Sequence, residues 1–134
     1  AQSYSLMVQQ KNGELRLNIQ NPLYVWSDEF KIEEVLTNYI SNACNHLAGE
    51  RIIEIKAEQI EDKVRISVFN TGKQIPEEDI ERIWDKFYKV DKAHTREYGG
   101  SGIGLSIVKA IMESINGTYG AKNYSNGVEF WIEL

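Results

Sequence analysis

Four glycines within six positions precede a run of apolar residues that recur every three or four positions. The glycines are Gly99, Gly100, Gly102 and Gly104, and the apolar residues are Ile103, Ile107, Val108, Ile111, Met112 and Ile115. This spacing predicts a helix that ends near Asn116 and is capped by Gly117. Glycine allows close approach of a ligand, and the first helical turn offers free N–H groups to an anion. The stretch predicts either a phosphate-binding loop or a flexible loop before a core helix.

Two common phosphate motifs are excluded. A P-loop requires lysine followed by serine or threonine after its last glycine, whereas Leu105 and Ser106 follow Gly104. The dinucleotide fingerprint requires an apolar strand before a G-x-G-x-x-G run. Residues 92–98 are polar, and the glycine spacing is G-x-G-x-G. A phosphate at this loop is therefore held in another way.

The composition is that of one globular domain. The chain has 134 residues, of which 42% are hydrophobic and 26% charged. Its single cysteine, Cys44, excludes a disulfide framework or a cysteine-based zinc site and favours a reducing compartment. The net charge of −5 argues against broad electrostatic binding to nucleic acid.

The remaining patterns predict a single α+β domain over residues 1–134. Residues 1–11 are interpreted as a linker or the tail of a preceding domain. Alternating residues predict strands near 15–19, 23–26, 52–57, 64–69, 118–124 and 128–134. Helices are expected from the Ser27–Asp28 cap to about Ala48 and after Pro76, with a loop at 70–74 and a mobile lid near 88–101. Strands in adjacent pairs predict a two-layer α/β sandwich, with a mixed, mostly antiparallel sheet covered by helices on one face.

The long helix carries an unusual polar face. Its members are four, four and three residues apart, so they lie on one side of the helix: Glu34, Asn38, Asn42 and Asn45. Asparagine costs a helix up to about 0.7 kcal/mol relative to alanine, so a merely solvated face would not favour it. Two interpretations stay open. The face is exposed, or the Asn42 carbonyl oxygen binds Mg²⁺, which takes few ligands from protein and prefers oxygen.

Four segments resemble the nucleotide-binding boxes of sensor histidine kinases and occur in that family's order. They are EVLTNYISNA at 34–43 (N box), NTGKQIP at 70–76 (G1 box), IWDKFYKVD at 83–91 (F box) and GSGIGL at 100–105 (G2 box). The similarity runs from about Trp26 to the C-terminus, and four boxes in order are far more specific than one. The chain thus resembles the catalytic and ATP-binding domain of a two-component sensor kinase. The family's Bergerat ATP-binding fold agrees with the predicted elements.

The resemblance implies a role for each matching residue, with ATP and Mg²⁺ as cofactors. Asn42 would bind Mg²⁺, supported by Asn38 one turn earlier. Asn70 would face the adenine amine, and Lys89 would reach the phosphates, so the implied catalytic residues are Asn38, Asn42 and Lys89. The implied ATP-binding set is Asn38, Asn42, Asn45, His46, Asn70, Gly72, Gln74, Ile75, Lys89, Gly100, Ser101, Gly102, Ile103, Gly104 and Leu105. Trp84 and Phe87 would anchor the lid.

Several positions depart from the family's pattern. Its G1 box normally has aspartate at Asn70 and a second glycine at Gln74, and its N box usually has a basic residue at Asn45. Each departure removes a charge or a contact, which predicts weaker nucleotide binding. His46, where the family often has an aromatic residue, is interpreted as structural, with contact to the phosphates as the alternative.

Asn38 separates this chain from the ATPases that share the fold. Gyrase-like and chaperone ATPases use a glutamate at that place to activate water, and an amide is no general base. Phosphoryl transfer depends instead on positioning and charge stabilisation. The family's acceptor histidine precedes an acidic residue, whereas Leu47 follows His46 and Thr95 follows His94. We therefore expect the acceptor to lie outside this chain.

The resemblance also implies partners and a location. The partners are an upstream histidine-bearing dimerisation domain and a response regulator receiver domain, with no nucleic acid, and the isolated domain would be a monomer. The parent would be a membrane-anchored bacterial sensor kinase with this domain in the cytoplasm. Two alternatives stay open: a degenerate domain that senses nucleotide or binds partners, and an anti-sigma-factor-like protein serine kinase.

Overall fold

The computed structural model describes residues 2–19, 29–85 and 104–134. Within these ranges the chain forms three α-helices and five β-strands. In chain order they are α1 (Gln2–Gln10), β1 (Glu14–Ile19), α2 (Glu29–Asn45), β2 (Ile52–Ile60), β3 (Lys63–Thr71), α3 (Gly104–Ser114), β4 (Thr118–Tyr124) and β5 (Gly127–Glu133). The strand expected at 23–26 and the lid expected at 88–101 lie outside the described residues.

The five strands form one sheet in the order β1-β2-β3-β5-β4. β1 and β2 are parallel, as strands joined through a helix are, and the other three neighbouring pairs are antiparallel. The mixed, mostly antiparallel sheet of the sequence expectation is confirmed. Both expected hairpins are present, β2–β3 closing at Glu61, whose φ is +57°, and β4–β5 closing at residues 125–126.

The sheet turns its apolar side chains toward the helices because strand residues alternate between the two faces. Val68 pairs with Phe130 and Ile66 with Ile132 across β3 and β5. The core formed with the helices includes Ile53, Val68, Phe130 and Ile132 of the sheet, Val35, Tyr39, Ile40 and Ala43 of α2, Val108 and Met112 of α3, and Val8 of α1. The helices are thus held by one shared core. Among the described residues no helix is both long and apolar enough to span a bilayer.

Two element boundaries differ from the sequence expectation. α2 ends at Asn45 rather than near Ala48, and β3 continues through Asn70 and Thr71, which were expected in a loop. The Thr71 hydroxyl donates to the Ala48 carbonyl at 2.8 Å and accepts from the Ile52 N–H at 2.9 Å. The Ala48 N–H in turn donates to the Thr71 carbonyl at 3.0 Å. Asn70 and Thr71 pair with Val128 and Gly127 of β5, which continues the strand. The bonds between Thr71 and Ala48 hold the residues that follow α2 against its end.

Two further expectations need correction. The left-handed residue that closes α3 is Asn116, with φ of +59°, rather than Gly117. Asparagine tolerates this conformation, and the Gly117 N–H donates to the Met112 carbonyl at 2.9 Å. Gly117 is needed for space, since a Cβ there would lie 2.9 Å from the Glu133 carbonyl oxygen.

The helix expected after Pro76 is, within the described residues, a single 3₁₀ turn at Glu77–Asp79 followed by turns. Pro76 is its N-cap rather than a first-turn residue. Ile83 and Trp84 are buried as expected. Phe87 lies outside the described residues.

An aromatic cluster fixes α2 to the sheet. The Tyr39 ring lies 5.4 Å from Phe130 and 6.4 Å from Trp84, and Trp84 lies 4.8 Å from Tyr119. Burial raises the pKa of Tyr39 well above its ordinary value, so its hydroxyl stays a donor, and it donates to the Trp131 carbonyl at 3.0 Å. The polar face of α2 is held at a defined position over the sheet as a result.

We expect Tyr39→Phe to lower the free energy of unfolding by about 1 to 1.5 kcal/mol, because the partly buried Trp131 carbonyl loses the Tyr39 donor. Urea unfolding measures the loss. The matched control is Tyr4→Phe, whose exposed hydroxyl pairs with the Thr37 hydroxyl at 3.0 Å and should matter by less than about 0.5 kcal/mol. Equal losses in the two variants would contradict the role of the Tyr39 hydroxyl.

Candidate functional site

Asn42 is the most unusual polar residue of the fold. It lies on α2, and its side chain is buried, with 3% of the residue exposed. Neither its Nδ2 nor its Oδ1 has a hydrogen-bond partner among the described residues. A buried amide left unsatisfied costs about 1 to 3 kcal/mol, and such groups are rare. Asn42 therefore marks a place where a ligand or a metal ion can supply the missing interactions.

The polar face of α2 is not uniformly solvated, which corrects one of the two interpretations of the sequence. Glu34 and Asn45 are exposed, Asn38 is half-buried and Asn42 is buried. From Glu34 through Asn38 to Asn42 the face passes from solvent into the interior, and it returns to solvent at Asn45. Simple solvation does not account for the asparagine at its centre.

Asn38 joins this face to the start of α3. Its Nδ2 donates to the Glu34 carbonyl at 2.9 Å, which fixes the amide and directs Oδ1 away from its own helix. A Cβ added at Gly104 would lie 3.1 Å from that Oδ1. The absence of a side chain at Gly104 thus lets the first turn of α3 approach Asn38. Leu105 is buried in the core, so only its backbone is available to a ligand.

Asn70 and Gly72 bring the end of β3 against the end of α2. Asn70 is buried, with 1% exposed, and its Nδ2 donates to the Thr71 carbonyl at 3.1 Å, which leaves Oδ1 as an acceptor. Gly72 has φ of +151°, a conformation that favours glycine. A Cβ there would collide with the His46 carbonyl oxygen and lie 3.3 Å from Asn70 Nδ2.

His46 follows α2 and is largely buried. Burial penalises its charged form and lowers the pKa of the imidazole to about 4 from 6.5. Its backbone N–H donates to the Asn42 and Ala43 carbonyls, each at 3.2 Å. The ring is neutral at pH 7 and brings no positive charge to the site.

Three other predicted residues are described by the structure, and five are not. Gln74 is exposed, and its Nε2 donates to the Tyr124 carbonyl at 2.6 Å. Ile75 is buried below the end of β3, and Asn45 is exposed on the last turn of α2. Five predicted residues lie outside the described ones: Lys89, Gly100, Ser101, Gly102 and Ile103.

Sequence reasoning missed Asn123. Its Oδ1 accepts from the Ile75 N–H at 2.9 Å, and its Nδ2 donates to the Ile75 carbonyl at 2.7 Å. A signal was available, because Asn123 is in phase with Tyr119 and Ala121 on β4 and is therefore a polar residue at an inward position.

The donor set limits the kind of metal that fits. No group of three or more histidine, cysteine or acidic side chains converges in 2–19, 29–85 or 104–134. The buried Asn42 amide oxygen instead suits a cation that takes one or two protein oxygens and completes its shell with phosphate and water. Mg²⁺ is such a cation.

Comparison with known proteins agrees with this geometry. Residues 27–134 match the family described as Histidine kinase-, DNA gyrase B-, and HSP90-like ATPase. Sensor histidine kinase WalK of Bacillus subtilis is 42% identical over 97 residues, which cover 71% of this chain and 16% of WalK. Sensor protein IrlS of Burkholderia pseudomallei is 35% identical over 125 residues, which cover 92% of this chain and 27% of IrlS. The chain thus spans a sixth to a quarter of these relatives' length.

Solved structures share the fold. The nucleotide-free catalytic domain of histidine kinase ThkA superposes with a TM-score of 0.83 at 33% identity, covering 99% of this chain and 89% of that one. Full-length ShkA in complex with AMPPNP gives 0.84 at 28% identity, covering 98% of this chain and 27% of that one. ThkA in complex with the response regulator protein TrrA gives 0.80 at 29% identity, covering 99% and 38%.

The paired asparagines on α2, the glycine at the start of α3 and the buried end of β3 occur here in a domain with the fold and sequence of sensor kinases. The chain belongs to the histidine kinase-, DNA gyrase B- and HSP90-like ATPase family and is an ATP-binding catalytic domain of the sensor histidine kinase type.

Proposed function

We propose that this domain binds Mg-ATP and positions the γ-phosphoryl group for transfer to a histidine of a separate dimerisation domain. The observation that carries the proposal is the Asn42 amide, which is buried without a partner among the described residues. A metal–phosphate complex supplies the interactions that this amide lacks. The AMPPNP complex of the similar kinase ShkA supports nucleotide as the ligand class.

Each described residue has a distinct task in this proposal. Asn42 Oδ1 would be a protein ligand of Mg²⁺, which neutralises phosphate charge when bound. Asn38, fixed by its bond to the Glu34 carbonyl, would orient the same group from one turn earlier. The backbone N–H groups at the start of α3, next to Gly104, would bind phosphate. Asn70 and Gly72 would face the base.

The site is better suited to phosphoryl transfer than to hydrolysis. The Asn38 amide lies against the start of α3, and an amide cannot take a proton from water. Transfer to an acceptor histidine requires mainly that donor and acceptor be held in line, with the charge neutralised. The acceptor's own domain would then handle the proton.

The proposal extends to partners and setting. The acceptor domain would precede this one in the parent protein, and a response regulator receiver domain would accept the phosphoryl group in turn. The ThkA–TrrA complex supports the second partner by analogy. We propose that the domain lies on the cytoplasmic side of a membrane-anchored sensor kinase, because the relatives that it matches are named sensor kinases.

A domain that senses nucleotide without transferring phosphate is the second candidate. It is favoured by Asn70 and Asn45, which leave two positions of the candidate site without the charge that the family's pattern has there. The two candidates separate when Mg-[γ-³²P]ATP is given to the domain together with a histidine-bearing dimerisation domain from a similar kinase. Label on the histidine supports the kinase, whereas binding without transfer supports the sensor.

Asn42→Ala should abolish Mg²⁺-dependent nucleotide binding. Titration with ATP in Mg²⁺ and in chelator is expected to give the same weak affinity for the variant, at least about a hundredfold below wild type in Mg²⁺. The free energy of unfolding should not fall much, because alanine removes a buried amide that lacked partners. Ser41→Ala, an exposed neighbour on α2, is the control. Unchanged binding in both conditions refutes the metal assignment.

Asn70→Asp should bind ATP up to about tenfold more tightly and discriminate more sharply against GTP. A carboxylate would replace a neutral hydrogen bond to the adenine amine with a charge-assisted one, a gain of about 1 kcal/mol, and would repel the guanine oxygen. Competition titrations with both nucleotides measure the ratio. Asn18→Asp, with the same charge change on exposed β1, is the control. An unchanged ratio in Asn70→Asp means that Asn70 does not read the base.

His46 should make stability depend on pH. Its folded pKa, about 4, lies below the ordinary 6.5, so the unfolded chain binds the proton first as the pH falls. The free energy of unfolding that depends on a neutral His46 is therefore fully present above about pH 6.5. It falls by roughly 3 kcal/mol as the pH drops from 6.5 to 4. Urea unfolding of wild type and His46→Gln at pH 7.5 and 4.5 measures the loss as a change in their difference. A difference that stays constant with pH contradicts the burial of a neutral ring.

A further inference from the structure

The segment that follows β3 is fastened by a side chain 48 residues later in the chain. Asn123 forms a reciprocal pair with the backbone of Ile75, its Oδ1 accepting the N–H at 2.9 Å and its Nδ2 donating to the carbonyl at 2.7 Å. An asparagine amide satisfies both backbone groups of one residue in this way. The pair fixes the position and the rotation of the peptide groups on either side of Ile75.

Three further contacts join the same two regions. The Gly72 N–H donates to the Asn126 carbonyl at 3.0 Å, and Gln74 Nε2 donates to the Tyr124 carbonyl at 2.6 Å. A Cβ at Gly127 would collide with the Asn70 carbonyl oxygen, so β5 begins in direct contact with the backbone of Asn70. Residues 123–127 thus form a support for residues 70–75, and Asn123 is the member with two bonds.

The supported segment needs such a fastening. Residues 73–76 belong to no helix or strand, so no regular ladder of hydrogen bonds holds them. Asn70 and Gly72 immediately precede them at the buried end of β3. A displacement at Ile75 would therefore be passed along the short segment to Gly72 and to the amide of Asn70.

We infer that Asn123 is a positioning residue for recognition of the nucleotide base, acting through Ile75 on the segment that carries Asn70 and Gly72. The inference rests on the proposed binding of Mg-ATP, with the base beside Asn70. Asn123 itself touches no part of the nucleotide in this account. Its contribution is to specificity for the base more than to the affinity for phosphate.

The test compares ATP with purine riboside 5′-triphosphate, which lacks only the 6-amino group. Affinities for both are measured in Mg²⁺ for wild type, Asn123→Ala, Asn70→Ala and the double variant. The control is Asn18→Ala, which also removes an asparagine side chain from an edge strand of the sheet. Thermal unfolding of each variant separates loss of fold from loss of recognition.

Wild type is expected to prefer ATP over the analogue, and Asn123→Ala to reduce that preference at least about threefold, because the segment loses two hydrogen bonds. In the Asn70→Ala background, Asn123→Ala should change the preference no further, since both act on the same contact. Asn18→Ala should leave it unchanged.

Two results separate this inference from the proposed function. If wild type binds ATP but Asn123→Ala keeps the full preference for the amine, Asn123 is not a positioning residue and the function stands. If wild type does not bind Mg-ATP, the proposed function fails. Should Asn123→Ala not fold, Asn123→Asp decides, because it keeps the shape and the bond to the Ile75 N–H but loses the donor to the carbonyl. It must then show the reduced preference.

Discussion

The packing of α2 against the sheet determines where every described part of the site lies. One side of the helix is buried through Tyr39, Ile40 and Ala43, and the Tyr39 hydroxyl joins it to the backbone of β5. With that side fixed, the helical period puts Asn38 and Asn42 on a common side of α2, and Asn38 lies against the start of α3. A rotation of α2 by one residue would exchange apolar for polar side chains and would remove both the core and the site.

A second set of contacts, between the end of α2 and the end of β3, positions the part of the candidate site that contains Asn70 and Gly72. Thr71 bonds to Ala48 and Ile52, and Gly72 approaches the His46 carbonyl more closely than any residue with a side chain could. The polar groups of these two ends satisfy one another where the chain is partly buried, and unpaired backbone groups are costly there. Gly72 lies between the His46 carbonyl and the Asn70 amide, so the same contacts bring His46 and Asn70 close together.

Local pattern predicted the element types and missed what depends on distant neighbours. The alternation of apolar and polar residues in β2 to β5 and their helical period in α2 and α3 could be recognised in the sequence, because each pattern reflects burial of one face. The extension of β3 through Thr71 was not, because it follows from pairing with Val128 and Gly127 of β5, which lie far along the chain. The spacing of Asn38 and Asn42 indicated a shared face, but only the packed structure shows that Asn42 is buried and Asn38 lies against Gly104. The resemblance to sensor kinases named residues of the site, yet nothing in it pointed to Asn123.

The support formed by residues 123–127 has a consequence for the order in which the domain folds. Its bonds to Gln74 and Ile75 span 50 and 48 residues, so they close only after a large loop has lost its conformational freedom. The support is therefore complete only once the β4–β5 hairpin has paired with β3. Local opening of that hairpin would release the segment beside Asn70, and with it the place proposed for the base.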